Sequence, residues 1–133
     1  MPSEIIGEPL AAVQAWINAF NANAREVVVD LYASDAVLWG TFAGELISTR
    51  AALVEYFDRA FESHPSPTVE LQSSSVQAFG GFAVVSGAYL LRFSVGGQLQ
   101  CLPARFTFAL ASQSGKWRVV THHSSITPVS PAR

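Results

Sequence analysis

The stretch 104–128, ARFTFALASQSGKWRVVTHHSSITP, admits few folds. Strand-favouring residues fill both arms, Phe106, Thr107 and Phe108 before the turn and Trp117, Val119 and Val120 after it, while the polar run 112–115 supplies turn chemistry. Two long antiparallel strands are predicted, and they carry Arg105, His122 and His123 on segments that otherwise read as sheet core. A cation there needs a partner. All ten carboxylates lie within the first 70 residues, so a buried sheet arginine must turn to a helix, a backbone carbonyl, a second subunit or a ligand, with no acid expected on a neighbouring strand.

Ahead of this hairpin the hydrophobic period is helical. Leu10, Val13, Trp16, Ile17 and Phe20 predict a helix over 8–21, with Pro9 in its first turn. Asn23 and Glu26 read as a cap and box opening a shorter helix that carries Val28, Leu31 and Tyr32. A short strand is expected at 36–39 and a loop over 40–48. A third helix then starts at Ser48 or Thr49, buries Leu53, Phe57 and Phe61, and stops at His64-Pro65-Ser66-Pro67.

From Thr68 onward the period is two, with a bulge predicted in 73–75 because Val69 and Leu71 fall out of phase with Val76 and Ala78. Gly80-Gly81 and Gly96-Gly97 turn the chain into further strands, over 82–94 and up to Leu110, and Pro128 begins a tail. The fold class is therefore α+β: one domain over 1–133, a cone in which three N-terminal helices pack on a curved, mostly antiparallel sheet, with a pocket at the open end.

Half of the residues are hydrophobic and 14% are charged, and both faces of the long strands are apolar. The face without helices is expected to bury itself in a second copy, as a homodimer or a larger ring. A net charge of −2 provides no basic field for nucleic acid or an anionic membrane. The first twenty residues lack a secretory pattern and the longest apolar stretch, 80–91, is too short to span a bilayer, so the chain reads as cytoplasmic. The single cysteine, Cys101, forbids an internal disulfide and builds no zinc site.

Simple turns would set Arg92 opposite Cys101, on the same side as Arg105, and Arg105 opposite His122 or Ser124. One face would then hold Leu90, Arg92, Arg105, Thr107, Val120, His122 and Ser124; the other would hold Tyr89, Leu91, Phe93, Phe106, Phe108, Trp117, Val119 and His123. A bulge, with Pro103 as its candidate, would swap part of this assignment.

The segment GKWRVVTHHSSITP, preceded by ARFTF, resembles the terminal hairpin of the SgcJ/EcaC-type and calcium/calmodulin-dependent protein kinase II association-domain group within the nuclear transport factor 2-like superfamily, whose members include SnoaL-like domains. LYASDAVLWGT is similar to the end of that superfamily's second helix and its first strand. The resemblance implies a dimer or ring formed through the sheet face, and a pocket arginine at Arg105. Ser124 stands where association domains carry a further arginine. The position resembling the base of ketosteroid isomerase is Gly40, and the position resembling its tyrosine donor is Trp16; neither can perform those roles.

Two functions follow as expectations. In the first, an apolar carboxylate binds with Arg105 meeting its charge, Arg92 adding to the field, His122 or Ser124 donating a hydrogen bond, and Trp16 and Trp39 as walls. Against it stands a structural Arg105, tied to Asp35, Asp58 or another helix carboxylate. In the second, a polyketide-cyclase or isomerase-like enzyme uses His122 as general base near its ordinary pKa. Adjacent strand residues point to opposite faces, so His122 and His123 cannot both line the pocket, and no metal site is expected of them. No cofactor is implied, since the paired glycines make hairpin turns without the helix that would cradle a phosphate.

Overall fold

The computed structural model describes residues 8–128; the tail expected after Pro128 lies outside them. The elements run α1 (Pro9–Asn21), α2 (Arg25–Asp30), β1 (Tyr32–Trp39), α3 (Arg50–Ser63), β2 (Thr68–Phe79), β3 (Phe82–Val95), β4 (Gln98–Gln113) and β5 (Lys116–Ile126). The strands form one sheet in the order β1-β5-β4-β3-β2, antiparallel throughout except where β1 runs parallel to β5. Among the described residues there are three helices, the third entering after the first strand, as the period changes required.

Helices α1 and α3 bury the stripes their spacing predicts, whereas α2 buries Val28 and Val29 and ends before Tyr32. Helix α1 turns Val13, Trp16, Ile17 and Phe20 inward, and α3 turns Leu53, Phe57, Ala60 and Phe61. Thr49 caps α3 by accepting the Ala52 amide at 3.1 Å. Asn23 and Glu26 do not form the expected box: the N-cap of α2 is Ala24, and Asn23 takes a positive φ of 56° in the connection. This short helix is held from outside. Arg25 reaches Asp58 and Glu62 on α3, each at 3.3 Å, while Arg50 and Arg118 donate to the carbonyls of Val29 and Asp30.

Strand β1 begins four residues earlier than the sequence suggests. Tyr32 pairs with Val119 directly after α2, and the pairing shifts between Tyr32 and Val37. Tyr32 is therefore a buried strand residue rather than part of a helix. The Asn21 side chain acts as a surrogate strand neighbour, donating to the Val69 carbonyl at 2.9 Å and accepting its amide at 2.7 Å, which ties α1 to β2.

Register decides which side chains share the space under the helices. The irregularity predicted in 73–75 falls just before it, between Leu71 and Ser73, and the three serines themselves pair regularly. The β3–β4 register runs unbroken from Phe82↔Ala111 to Val95↔Gln98, so Pro103 makes no bulge. The second slip lies between β4 and β5, where Ala109 pairs with Thr121 but Leu110 pairs with Val119. That extra residue flips the phase of β5. His122 and Ser124 consequently join Tyr89, Leu91, Phe106 and Phe108 on the helix-covered face, while His123 and Ser125 join Arg105 and Thr107 on the open one. Among the described residues no helix is long and apolar enough to cross a membrane.

Candidate ligand-binding cavity

A cavity of about 30 Å³ lies between the sheet and the helices, room for one or two water molecules. Helix α1 gives it Trp16 and Phe20, α3 gives Tyr56, Phe57 and Ala60, the turn after β1 gives Gly40, Thr41 and Phe42, and the sheet gives Leu38, Val69, Tyr89, Leu91, His122 and Ser124. Trp16 is the organising ring. It stacks on Phe20 at 5.1 Å between centroids and meets Phe108 and His122 edge-on at 5.5 Å.

Two hydrogen-bond chains cross this apolar space. In the first, Trp16 Nε1–H donates to Tyr32 Oη at 3.0 Å, and Tyr32 Oη lies 2.7 Å from His122 Nδ1. An indole nitrogen can only donate, so the Tyr32 oxygen accepts there and has its own proton to give to Nδ1. Placing the His122 proton on Nε2 leaves the fewest buried groups unsatisfied, since the opposite tautomer would strand both the Tyr32 O–H and a bare Nε2. That nitrogen is buried and has no hydrogen-bond partner. His122 is 2% exposed and stacks on Phe108 at 3.9 Å; burial, and then the neighbouring charge of His123, push its pKa down to about 3. It is a neutral imidazole across the physiological range.

In the second chain, Ser124 Oγ lies 2.5 Å from Tyr89 Oη and 2.8 Å from Thr41 Oγ1. Burial raises the pKa of Tyr32 and Tyr89 well above the ordinary phenol value and that of Tyr56 to about 12, so all three are neutral hydroxyls. Tyr56 Oη accepts the Phe42 amide at 3.4 Å, and its ring crosses Gly40 so closely that a Cβ at that position would overlap it. Gly40 is thus required by packing at the place where the isomerase base was weighed.

The sequence-predicted residues divide evenly. Trp16, His122 and Ser124 line the cavity; Arg105, Arg92 and Trp39 do not. Arg105 is exposed on the open face and donates from Nε to Ser125 Oγ at 3.3 Å, because the β5 slip puts Ser125 rather than His122 or Ser124 opposite it. Arg92 lies on the same open face, as expected, and pairs with Glu70 at 2.6 Å. The acid therefore comes from the adjacent strand after all, and the pair lowers the Glu70 pKa and raises that of Arg92. Trp39, 43% exposed, stands level with His123 and faces outward with it.

The sequence reading missed Tyr32, Tyr56 and Tyr89. Their one available signal was a phenol within an otherwise apolar run, since a buried tyrosine hydroxyl seeks a partner. The arrangement that results is an aromatic, uncharged cavity with one unpaired N–H donor and a cluster of hydroxyls. It can receive a hydrogen-bond acceptor, but no carboxylate lines it to take a proton, and the unprotonated nitrogen of His122, Nδ1, is already engaged by the Tyr32 hydroxyl.

The SnoaL-like domain model matches residues 10–130, and the chain belongs to that family. A Xanthomonas campestris structure described as a calcium/calmodulin-dependent protein kinase II association domain is 28% identical to it, with a TM-score of 0.81 and coverage of 95% of this chain and 96% of that one. A Chlamydomonas reinhardtii CaMKII hub homology domain is 25% identical, with a TM-score of 0.73 over 90% of this chain and 95% of that one. A Streptomyces avermitilis protein of the nuclear transport factor 2-like family, described as a dehydratase, superposes with a TM-score of 0.82 over 90% of this chain and 94% of that one. At 14% identity this last likeness is one of fold alone. No curated protein matches the sequence. The superfamily and association-domain resemblance suggested by the terminal hairpin is borne out.

Proposed function

We propose that this chain is a self-associating binding domain whose cavity takes a small, neutral, largely apolar molecule with one hydrogen-bond acceptor. The observation that carries this reading is the unpaired, buried Nε2 of His122, a residue that lines the aromatic cavity. A buried donor without a partner costs about 1–3 kcal/mol, which an acceptor on a guest would recover. A carboxylate guest fits poorly, because no cation lines the cavity and a desolvated anion would go uncompensated. A guest larger than two waters requires the lining to give way, and Phe42, 36% exposed and stacked on His64 at 4.0 Å, is the lining side chain freest to do so.

Proton-transfer catalysis by His122 has less support. With Tyr32 donating to Nδ1, the nitrogen left over is a donor, and a group with a pKa near 3 is a weak base. Self-association is supported by the likeness to association and hub domains and by the helix-free sheet face, which carries Phe82, Val84, Leu90 and Pro103 alongside its polar centre.

A thermal-shift panel tests the binding reading, comparing shape-matched ketones, alcohols and carboxylates on the wild type and on His122→Phe. A ligand at a hundredfold its Kd adds about 2.7 kcal/mol, several degrees for a domain of this size. Neutral acceptors are expected to stabilise the wild type and lose most of that effect in His122→Phe. Carboxylates that stabilise equally well, with the same loss in His122→Phe, would contradict the proposal.

A further inference from the structure

Arg105 differs from the other described arginines in what it meets. Arg25, Arg59 and Arg92 pair with carboxylates, and Arg50 and Arg118 donate to backbone carbonyls at the end of α2. Arg105 has one neutral hydroxyl, Ser125 Oγ on Nε, which leaves the two terminal nitrogens of its fork without a partner among the described residues.

Register arranges a set of donors around that fork. Ala88, Arg105 and Ser125 form one cross-strand rung on the open face, and Ser86, Thr107 and His123 form the next. Rungs on one face stand about 7 Å apart along the strands, and neighbours within a rung about 5 Å apart, so a small ion held by the fork would lie within reach of side chains on both rungs. The small side chain of Ala88 leaves the guanidinium open on one flank. An open groove of about 400 Å³ results, lined by Ser86, Gly87, Arg105, Thr107, His123 and Ser125 together with Phe106. Ser86 and Thr107 hydroxyls are 3.5 Å apart, a contact long enough to be exchanged for a better acceptor. No carboxylate lies on either rung. The acid on β2, Glu70, sits opposite Leu90 and is held by Arg92.

We propose that this groove is a binding site for a tetrahedral oxyanion, the phosphate of inorganic phosphate or of a phosphate monoester. The Arg105 fork supplies two parallel donors to two of its oxygens, and the Ser86, Thr107 and Ser125 hydroxyls with His123 supply donors to the rest. The site stands apart from the helix-side cavity and does not rest on the binding reading given for it. It bears on the self-association reading: two open faces packed together would bury Arg105 with no acid on these rungs to meet it, and a shared oxyanion would offset that cost.

The test is a titration of the ¹⁵N-labelled full chain at fixed ionic strength with inorganic phosphate, glycerol phosphate, acetate and chloride, repeated on Arg105→Gln. Arg105 is exposed, so the variant is expected to keep the wild-type spectrum away from the groove. Saturable shifts at Thr107, His123 and Ser125 with either phosphate, weakened about tenfold or more in Arg105→Gln, would support the site. Tighter binding of glycerol phosphate would mark a phosphorylated small molecule as its ligand, and tighter binding of inorganic phosphate the free ion. Shifts no larger than those from acetate or chloride, or unchanged in Arg105→Gln, would overturn it. Sedimentation of the same samples separates the two readings: a chain monomeric in both phosphate and chloride refutes self-association while leaving the site to be judged by its Arg105 dependence.

Discussion

Removing a single oxygen should expose how the cavity is held. Tyr32→Phe keeps the buried ring but deletes the hydroxyl that accepts Trp16 Nε1–H at 3.0 Å and donates to His122 Nδ1 at 2.7 Å. Two buried polar groups lose their partner at once. Each costs about 1–3 kcal/mol to leave unsatisfied, and the variant recovers part of this by no longer burying a phenol oxygen, so a net loss of about 3 kcal/mol is expected. For a domain of this length that is roughly 10 °C in Tm. Tyr89→Phe is the internal control. It deletes one bond to Ser124, which keeps Thr41 at 2.8 Å, and is expected to cost only about 1 kcal/mol. Urea unfolding of the three proteins, monitored by Trp fluorescence and far-UV circular dichroism, gives both differences. If Tyr32→Phe is no more destabilising than Tyr89→Phe, the Trp16–Tyr32–His122 chain does not exist as drawn.

Other consequences can be measured on the same protein. His122 has a folded pKa near 3, below its ordinary unfolded value near 6.5, so the unfolded state binds the extra proton: stability is full above about pH 6.5 and falls with acid at about 1.4 kcal/mol per pH unit toward pH 3. His122→Phe should remove that slope, whereas retention of the full slope would assign it to other groups. The Glu70 carboxylate, whose pKa is lowered by Arg92, contributes in the same direction, losing its share as pH falls through its folded value. Gly40→Ala forces a Cβ into the Tyr56 ring and should cost about 1–3 kcal/mol by denaturant unfolding, with weakened binding of any cavity ligand. Thr49→Ala should cost about 1 kcal/mol through loss of the α3 cap; no change would mean that water replaces it.

The fold was legible because its signals are long. A helical period over Leu10 to Phe20 and Leu53 to Phe61, followed by alternation from Thr68, leaves few packings for a chain of this size, and the turn glycines mark the hairpins. The β2 irregularity was also readable, since Val69 and Val76 are out of phase across a run of serines. What escaped was one residue in β5. Nothing in WRVVTHH distinguishes a slip between Val119 and Thr121 from regular pairing, yet that slip moves His122 and Ser124 to the opposite face from Arg105. The expected anion pocket depended on the parity that it broke.

The early start of β1 hid Tyr32 in the same way. Read as the end of a helix it was an ordinary core aromatic; as the first strand residue it stands between Trp16 and His122. The outward placement of Trp39 follows from parallel pairing with β5, a long-range contact that local sequence does not encode. Trp16 was identified because its helical position alone turns it inward.

The central claim is that His122 is a neutral imidazole carrying its proton on Nε2 inside the cavity, and long-range ¹H–¹⁵N correlation spectra of the histidine-labelled protein test it most directly. The account predicts that one of the three histidines stays neutral with Nε2–H from pH 8 to pH 4.5 and vanishes in His122→Phe. A His122 resonance that titrates near pH 6.5, or that carries its proton on Nδ1, would contradict it.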